Sequence, residues 1–258
     1  MSTKTQLAVI GAGPGGYAAA FLAADLGMQV TLIDMEKNPG GVCLYRGCIP
    51  SKALLHVSKL INEAEEAKKW GVEFGKPKID INKIREFKNN VVNKLTGGLG
   101  QLSKQRKVNY INGKASFLNS NTLSVAKNDV TVEEVVFDKA IIATGSVPAL
   151  IPGLPANSNR IMDSTAALEL NDIPEKLLVI GGGYIGLELS TVYATLGSKV
   201  TVVEMMPGLL PGADRDLVAV LERRLKSKLE SIYLETKVIE LKETEEGNYI
   251  VELIDDYL

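Results

Sequence analysis

Two segments of this chain are variations on one pattern, and they limit the possible fold more than anything else in it. LAVIGAGPGGYAAAFLAADLGMQVTLID runs from Leu7 to Asp34, and LLVIGGGYIGLELSTVYATLGSKVTVVE from Leu177 to Glu204. Each opens with an apolar strand and turns through G-x-G-x-x-G: Gly11, Gly13 and Gly16 in the first, Gly181, Gly183 and Gly186 in the second. Each continues as an Ala- or Leu-rich helix, stops at Leu-Gly (Gly27, Gly197), and ends a second strand on an acid. The interval from first glycine to acid is the same in both, Gly11 to Asp34 and Gly181 to Glu204.

Each position has a physical job. The first glycine permits the tight strand-to-helix turn, the second lets the backbone approach a pyrophosphate, and the third lets the helix pack on the strand. The unpaired N–H groups and positive end of the helix then hold phosphates, while the acid accepts bonds from ribose hydroxyls. One glycine-rich turn can be only a turn. Two complete copies, each with strand, helix and spaced acid, specify two dinucleotide sites. The predicted fold is α/β, with two Rossmann-like domains of three layers. At the second site a carboxylate at Glu204 suits a ribose 2′-hydroxyl and repels a 2′-phosphate. The MMPGLLPGAD that follows holds no arginine before Arg215, so NAD rather than NADP is expected there. The alternative is that Glu204 is only a solvated strand-end charge.

A length of 258 residues suits two domains of ordinary size. SKALLHVSKLINEAEEAKKWG, Ser51 to Gly71, predicts an amphipathic helix stopped by glycine. INKIREFKNNVVNKLTGGLGQLSKQRK predicts another, ending or breaking around Gly97 and Gly98. From Val108 to Ile142 short strands punctuated by Asn, Ser and Gly predict a small antiparallel meander inserted in the first domain. SVPALIPGLPANSNR, Ser146 to Arg160, reads as the linker. The expected domains are 1–150 and 151–258, the second incomplete at its C-terminus. A formal charge of −2 offers nothing to a phosphate backbone, so nucleic acid is not an expected partner. No apolar run reaches bilayer length, and MSTKTQLAVIGAG passes from a short polar start straight into a strand; neither membrane nor export is expected, and the protein reads as cytoplasmic.

Cys43 and Cys48 are the only cysteines, and both lie in GGVCLYRGCIPSK. A zinc site needs three or four ligands, and the one histidine is His56, so no metal is expected. In a reducing compartment a close pair suggests redox chemistry; two inert buried thiols are the bland alternative. Against that alternative, the pair follows Gly40-Gly41 and precedes a predicted helix start, where thiolates are stabilised. A disulfide needs Cα atoms about 4.4 to 6.8 Å apart, closer than residues five apart in a regular helix, so the turn must be irregular. Gly47 and Pro50 are placed to allow it. Such a local bridge removes little chain entropy, so reversible dithiol/disulfide chemistry explains it better than stability.

GGVCLYRGCIPSKALLHV, both fingerprints, AIIATGS, LPGADRDLV and LETKV together resemble the dihydrolipoamide dehydrogenase group of the pyridine nucleotide-disulfide oxidoreductases, along essentially the whole chain. Tyr45 stands where that family usually has Asn, and Arg46 where a small apolar residue is common. The resemblance implies a flavoprotein oxidoreductase with FAD at the first fingerprint and NAD at the second. Asp34 would take the flavin adenosine ribose, with Met35, Glu36, Lys37, Asn38, Pro39, Gly40, Gly41, Val42 and Cys43 along the FAD. Lys52 would reach the flavin ring, Gly113 and Ala115 would contact adenine by backbone, and Thr144, Gly145 and Ser146 would close over the flavin. Gly181, Gly182, Gly183, Tyr184, Ile185, Gly186, Leu187, Glu188 and Glu204 would hold NAD, with Val238 near its adenine and Glu188 paired with Lys52.

The implied reaction is oxidation of protein-bound dihydrolipoamide with reduction of NAD, in 2-oxo acid dehydrogenase complexes and cell redox homeostasis. Substrate thiolate would attack the disulfide at Cys43, and Cys48 would pass the electrons to FAD. The implied partners are a lipoyl domain and, for the full-length enzyme, a second copy in a homodimer. In that family a His backed by a Glu on a C-terminal dimerisation domain serves as base, and a later Gly-Asp segment completes the flavin site. These lie outside the 258 residues, so an N-terminal portion is expected, and His56, on an apolar-patterned helix, is expected to be structural. The alternatives are a non-catalytic nucleotide-binding fragment and a related disulfide reductase with another substrate.

Overall fold

The central strand β1 (Ser2–Ile10) organises the first half of the fold by its alternation. Leu7 and Val9 point to one face, under α1 (Pro14–Asp25), where Ala20 and Phe21 are buried with them. Ala8 and Ile10 point to the other face, against Leu123, Val125, Val135 and Phe137. β1 pairs in parallel with β2 (Val30–Asp34), and β2 with β3 (Asn109–Asn112). On its other side β1 pairs in parallel with the long β6 (Thr131–Ile142), which continues antiparallel into β5 (Thr122–Lys127) and β4 (Lys114–Asn119). The six strands form one sheet, ordered β3-β2-β1-β6-β5-β4. The expected antiparallel meander is present as β4-β5-β6 and is continuous with the parallel sheet: β3, read as its first strand, pairs with β2 instead, and β6 pairs with β1.

In the computed structural model, which describes residues 2–127, 131–149, 158, 160–244 and 249–255, the chain divides into two units. The first comprises Met1–Pro50 and Lys88–Val147, the second Ser51–Phe87 and Pro148–Leu258. The sequence suggests a single boundary near residue 150; the chain also crosses at about residues 50 and 87. The cause is the apolar face of α3 (Cys48–Glu66). Its Leu54 is buried, and Leu55 and Ile61 pack partly buried, in the core of the second fingerprint. Of the linker reading, residues 150–157 and 159 lie outside the described residues.

Two further elements connect α3 to the first sheet. A 3-10 turn, Ala67–Trp70, ends at Gly71 in the left-handed region (φ 84°), the stop expected from sequence. α4 (Ile81–Gln105) runs unbroken through Gly97 and Gly98, against expectation. Val92, Thr96, Gly100 and Ser103 form a buried stripe spanning both sides of the glycine pair, and that packing outweighs the roughly 1 kcal/mol each helical glycine costs.

The second unit repeats the strand–helix–strand unit as β7 (Lys176–Ile180), α6 (Tyr184–Leu196) and β8 (Lys199–Val203), with β9 (Ser231–Tyr233) parallel beside β8. α5 (Ser164–Glu169) precedes β7, and its N-cap Asp163 accepts the N–H of Ala166 at 2.8 Å. α7 (Arg215–Lys226) packs Val218 and Leu225 into the same core. A separate hairpin pairs β10 (Thr236–Glu243) with β11 (Tyr249–Asp255).

Candidate functional site

The first glycine turn is too crowded to admit side chains. Gly11 has φ +94°, and a Cβ there would lie 2.2 Å from the carbonyl oxygen of Ala143. A Cβ on Gly16 would meet the Gly11 carbonyl oxygen at 1.8 Å, and one on Gly41 (φ +58°) would meet Cα of Gly13 at 2.4 Å. Three chain segments thus converge: the Gly11–Gly16 turn, the Thr144–Gly145–Ser146 turn that leaves β6 exposed to solvent, and the start of α2 (Gly41–Arg46). Gly13 caps α1 without a side-chain bond, so the first-turn N–H groups are left uncapped and could serve an anion such as phosphate.

Both strand-end acids make the same pair of bonds. Asp34 accepts the N–H of Ala12 at Oδ2 (2.6 Å) and of Glu36 at Oδ1 (2.9 Å). Glu204 accepts the N–H of Gly182 at Oε2 (2.6 Å) and of Met206 at Oε1 (2.7 Å). Glu204 is 7% exposed, which rules out a merely solvated charge. A Cβ on Gly182 would sit 3.1 Å from the Glu204 Cβ and 2.6 Å from Leu209 Cδ2, so glycine lets the acid close in. Arg215, the first cation after this acid, donates to the carbonyls of Leu209, Leu210 and Ala213 at 2.7 to 3.0 Å. Its guanidinium clamps the loop.

The rest of the expected second site is divided. Gly181 (φ +110°) makes the turn, Gly183 caps α6, and Tyr184 and Ile185 are exposed beside it. Gly186 packs with its Cβ position 2.4 Å from the Gly181 carbonyl oxygen. The Leu187 side chain is buried in the core, so only its backbone can serve a ligand. Val238 is half-buried on β10, two residues beyond Thr236, whose N–H donates to the Glu204 carbonyl at 3.0 Å.

The segment from Asp34 to Cys43 is held from both sides. Pro39 and Gly40 are buried, Met35, Lys37 and Val42 exposed. Gly40 donates to the Ala12 carbonyl and Gly113 to the Asp34 carbonyl, each at 2.8 Å, while Ala115 packs half-buried against the core. The Tyr45 hydroxyl accepts the N–H of Asn38 (3.2 Å) and donates to its carbonyl (3.1 Å), and Arg46 pairs with Glu36. From the other side α4 presses on the loop: a Cβ on Gly100 would collide with Asn38 Oδ1 at 2.4 Å. The Tyr110 hydroxyl donates to the Glu36 carbonyl at 2.7 Å; burial, then the charges of Asp34, Tyr45 and Glu36, push its phenol well above the usual range. Sequence reasoning missed the anchoring roles of Tyr45, Arg46 and Gly100. The signal for the first two was their departure from the family pattern between the cysteines.

Cys43 lies half-buried in α2 and Cys48 exposed as the first residue of α3, with Gly47 at the break. A Cβ on Gly47 would lie 2.9 Å from the Val42 carbonyl oxygen, so the irregular turn requires glycine. Pro50, in the first turn of α3, sits where no intrahelical N–H bond is lost. One helical turn after Cys48, Lys52 Nζ meets Glu188 Oε1 at 2.5 Å, and Ser51 Oγ donates to Glu188 Oε2 at 3.1 Å. His56 is exposed on α3, not packed. Among the described residues no group of three or more His, Cys, Asp or Glu is placed to hold a metal ion, and no helix is long and apolar enough to cross a membrane.

Comparison with known proteins agrees with this geometry. The sequence profile of the family "Pyridine nucleotide-disulphide oxidoreductase" matches residues 5–256. Dihydrolipoyl dehydrogenase of Vibrio cholerae is 51% identical over 96% of the chain, and that of Haemophilus influenzae 48% over 96%. The chain spans about half the length of these relatives, 52% in both cases. Among solved structures, LpdA of Mycobacterium tuberculosis superimposes with a TM-score of 0.84 at 25% identity, covering 96% of this chain and 56% of that one. The HOCl-induced flavoprotein disulfide reductase RclA of Escherichia coli, as its Cu(II) complex, gives 0.81 at 29% identity, covering 99% and 54%.

Proposed function

The chain belongs to the pyridine nucleotide-disulphide oxidoreductases, and on that premise we propose that it carries the flavin and disulfide half of a dihydrolipoyl dehydrogenase: oxidation of protein-bound dihydrolipoamide to lipoamide with reduction of NAD. One observation carries the reading. Gly41, the first residue of the helix that bears Cys43, packs against Gly13 of the first dinucleotide turn, so the phosphate cradle and the redox helix form one local assembly. A disulfide on that helix is held beside whatever dinucleotide the cradle binds.

In this reading the Gly11–Gly16 turn and Asp34 hold FAD, with Asp34 to Cys43, Gly113, Ala115, Thr144, Gly145 and Ser146 along it and Lys52 reaching the flavin ring. Gly181–Glu188, Glu204 and Val238 hold NAD. Three facts favour NAD over NADP: Glu204 is buried, it is bonded by two N–H groups, and Arg215 is engaged with loop carbonyls. The first acid fits FAD because its carboxylate is only part-buried and keeps lone pairs beyond those taken by Ala12 and Glu36.

The chemistry of the cysteines is thiol–disulfide exchange. A substrate thiolate attacks Sγ of Cys43, the Cys43–Cys48 bond breaks, and its electron pair leaves on Cys48. The second substrate thiolate then attacks the substrate sulfur held on Cys43, closing the lipoamide disulfide and releasing Cys43 as thiolate. Cys48 opens a 19-residue helix, whose positive end favours an anion at that position. Bound FAD supplies the route by which the two electrons pass from the thiols to NAD. Exposure alone favours the reverse order of attack, since Cys48 is the more exposed, so the assignment rests on the family resemblance and the helix end. A lipoyl domain as partner, a homodimer for the whole protein and a cytoplasmic setting belong to the same reading.

The test is direct. The purified protein should be yellow, reduce NAD with dihydrolipoamide, and lose that activity on Cys48→Ser while keeping its flavin. A colourless protein, or one whose activity survives Cys48→Ser, overturns the reading.

A further inference from the structure

Away from both dinucleotide turns, the second unit contains a cavity of about 320 Å³ between α3 and α7, with Thr191 of α6 also in its lining. One face of α3 lines it with Leu55, Ser58, Lys59 and Asn62, one face of α7 with Leu221, Arg224 and Leu225, and Lys228 follows just beyond the end of α7. The α3 set follows helical spacing i, i+3, i+4, i+7 and the α7 set i, i+3, i+4, so each helix presents a stripe to the cavity.

Two features of the lining lack what they need. Ser58 is 1% exposed, and among the described residues its hydroxyl has no hydrogen-bond partner, although an unsatisfied buried hydroxyl costs about 1–3 kcal/mol. Among the described residues the Lys228 side chain donates to a neutral acceptor, Oδ1 of Asn62, and its ammonium is held below the usual range by burial first and by the Arg224 charge second, against the opposing charges of Glu66 and Glu65. The remaining cations are better served: Lys59 lies 3.6 Å from Glu63 and Arg224 3.8 Å from Glu66. A buried hydroxyl without a partner and a partly desolvated ammonium without a direct ion pair, both so among the described residues, belong to residues that line the same cavity as three leucines. That combination matches an anionic head on a small apolar body.

We propose that this cavity binds a small amphipathic monoanion, an alkyl or aryl carboxylate, whose head group takes Lys228 and Ser58 and whose body lies on Leu55, Leu221 and Leu225. The charged head gives orientation, because its bonds to Lys228 and Ser58 are charge-assisted, and the leucines exclude water from the body. Neither dinucleotide site is involved, so the proposal is independent of the reaction assigned above.

Octanoate is the probe. Titrated into the purified protein and followed by the methyl signals of Leu55, Leu221 and Leu225, it should saturate below about 10 mM, as its size allows. Octanol should bind more weakly by about tenfold or more, and Lys228→Gln should weaken octanoate by a similar factor. Ser58→Leu should abolish binding by filling the cavity. Ser58→Ala, which removes only the hydroxyl and preserves the fold, should weaken it several-fold. Equal binding of octanoate and octanol, unchanged affinity in Lys228→Gln and Ser58→Ala, or no saturation by that concentration overturns the proposal.

Discussion

The N–H of Gly182 donates to Oε2 of Glu204 at 2.6 Å, and with Met206 on the other oxygen the buried carboxylate faces two backbone donors. Glu204→Gln replaces one acceptor by an amide NH2, which opposes one of those N–H groups and leaves it unpaired. NADH affinity should fall by at least about tenfold, roughly 1.4 kcal/mol, with flavin content unchanged. NADPH should gain nothing, because the first guanidinium after the acid in the chain, on Arg215, is committed to the carbonyls of Leu209, Leu210 and Ala213. Fluorescence titrations with both nucleotides decide the matter, and a preference for NADPH in the variant would refute the role given to Arg215.

A methyl group at Gly41 has nowhere to go. It would lie 2.4 Å from the Gly13 Cα and 3.0 Å from its nitrogen, both backbone atoms, at a φ of +58° that L residues rarely adopt. Gly41→Ala should therefore push α2 off the first turn and yield protein lacking flavin absorbance, with the second site still binding NADH. The paired measurement separates a local effect from failure to fold: loss of both nucleotides would mean the whole chain is affected.

Much of this was legible because it is local. The glycine turns, the two equally spaced acids and the irregular Gly47 turn each follow from backbone geometry within a few residues of the motif. What was not legible depends on distant partners. Nothing near Leu54 says that α3 is to be buried against Val192 and Tyr193, and nothing near Gly97 and Gly98 shows that Thr96 and Gly100 will be packed under the Asp34–Gly40 segment. β3 resembled the start of a meander, since its four residues pair with β2 across a long stretch of intervening chain. Leu187 was read into the NAD site from its position in the motif, and nothing local shows that its side chain faces the core and leaves only its backbone for a ligand.

Tyr193, 1% exposed, donates its hydroxyl to the Ala167 carbonyl at 2.8 Å, and burial, with the Asp172 charge behind it, pushes its pKa up from 10.0 to about 12. Between those values the unfolded chain has lost the phenolic proton and the folded chain keeps it, so the unfolded state binds fewer protons and stability falls as pH rises. The contribution is fully present below pH 10. Denaturant titrations at pH 9 and 11.5 should show that decline, and Tyr193→Phe should reduce it. The variant should cost about 1 kcal/mol at neutral pH for the lost hydrogen bond. Tyr110 shifts the same way in the first unit, so only the part of the decline removed by the substitution belongs to Tyr193. An unchanged pH dependence in Tyr193→Phe would contradict the assignment.

The separation of Cys43 and Cys48 is set by the break at Gly47. A Cβ there would stand 2.9 Å from the Val42 carbonyl oxygen and 3.3 Å from the Cys43 Cα, so Gly47→Ala must displace the end of α2, which carries Cys43, relative to Cys48 at the start of α3. Disulfide geometry tolerates little displacement, and the dithiol has no such constraint, so the oxidised form should be destabilised relative to the reduced one. The reduction potential of the pair should become more oxidising by about 30 mV or more, which for two electrons is about 1.4 kcal/mol. Equilibration with glutathione buffers and quantification of the disulfide by mass spectrometry gives the number. Gly97→Ala, in the middle of α4, whose Cβ meets nothing within 4 Å and whose φ is not positive, controls for a general effect of replacing a glycine. Equal potentials in Gly47→Ala and the parent would show that the turn does not govern the pair.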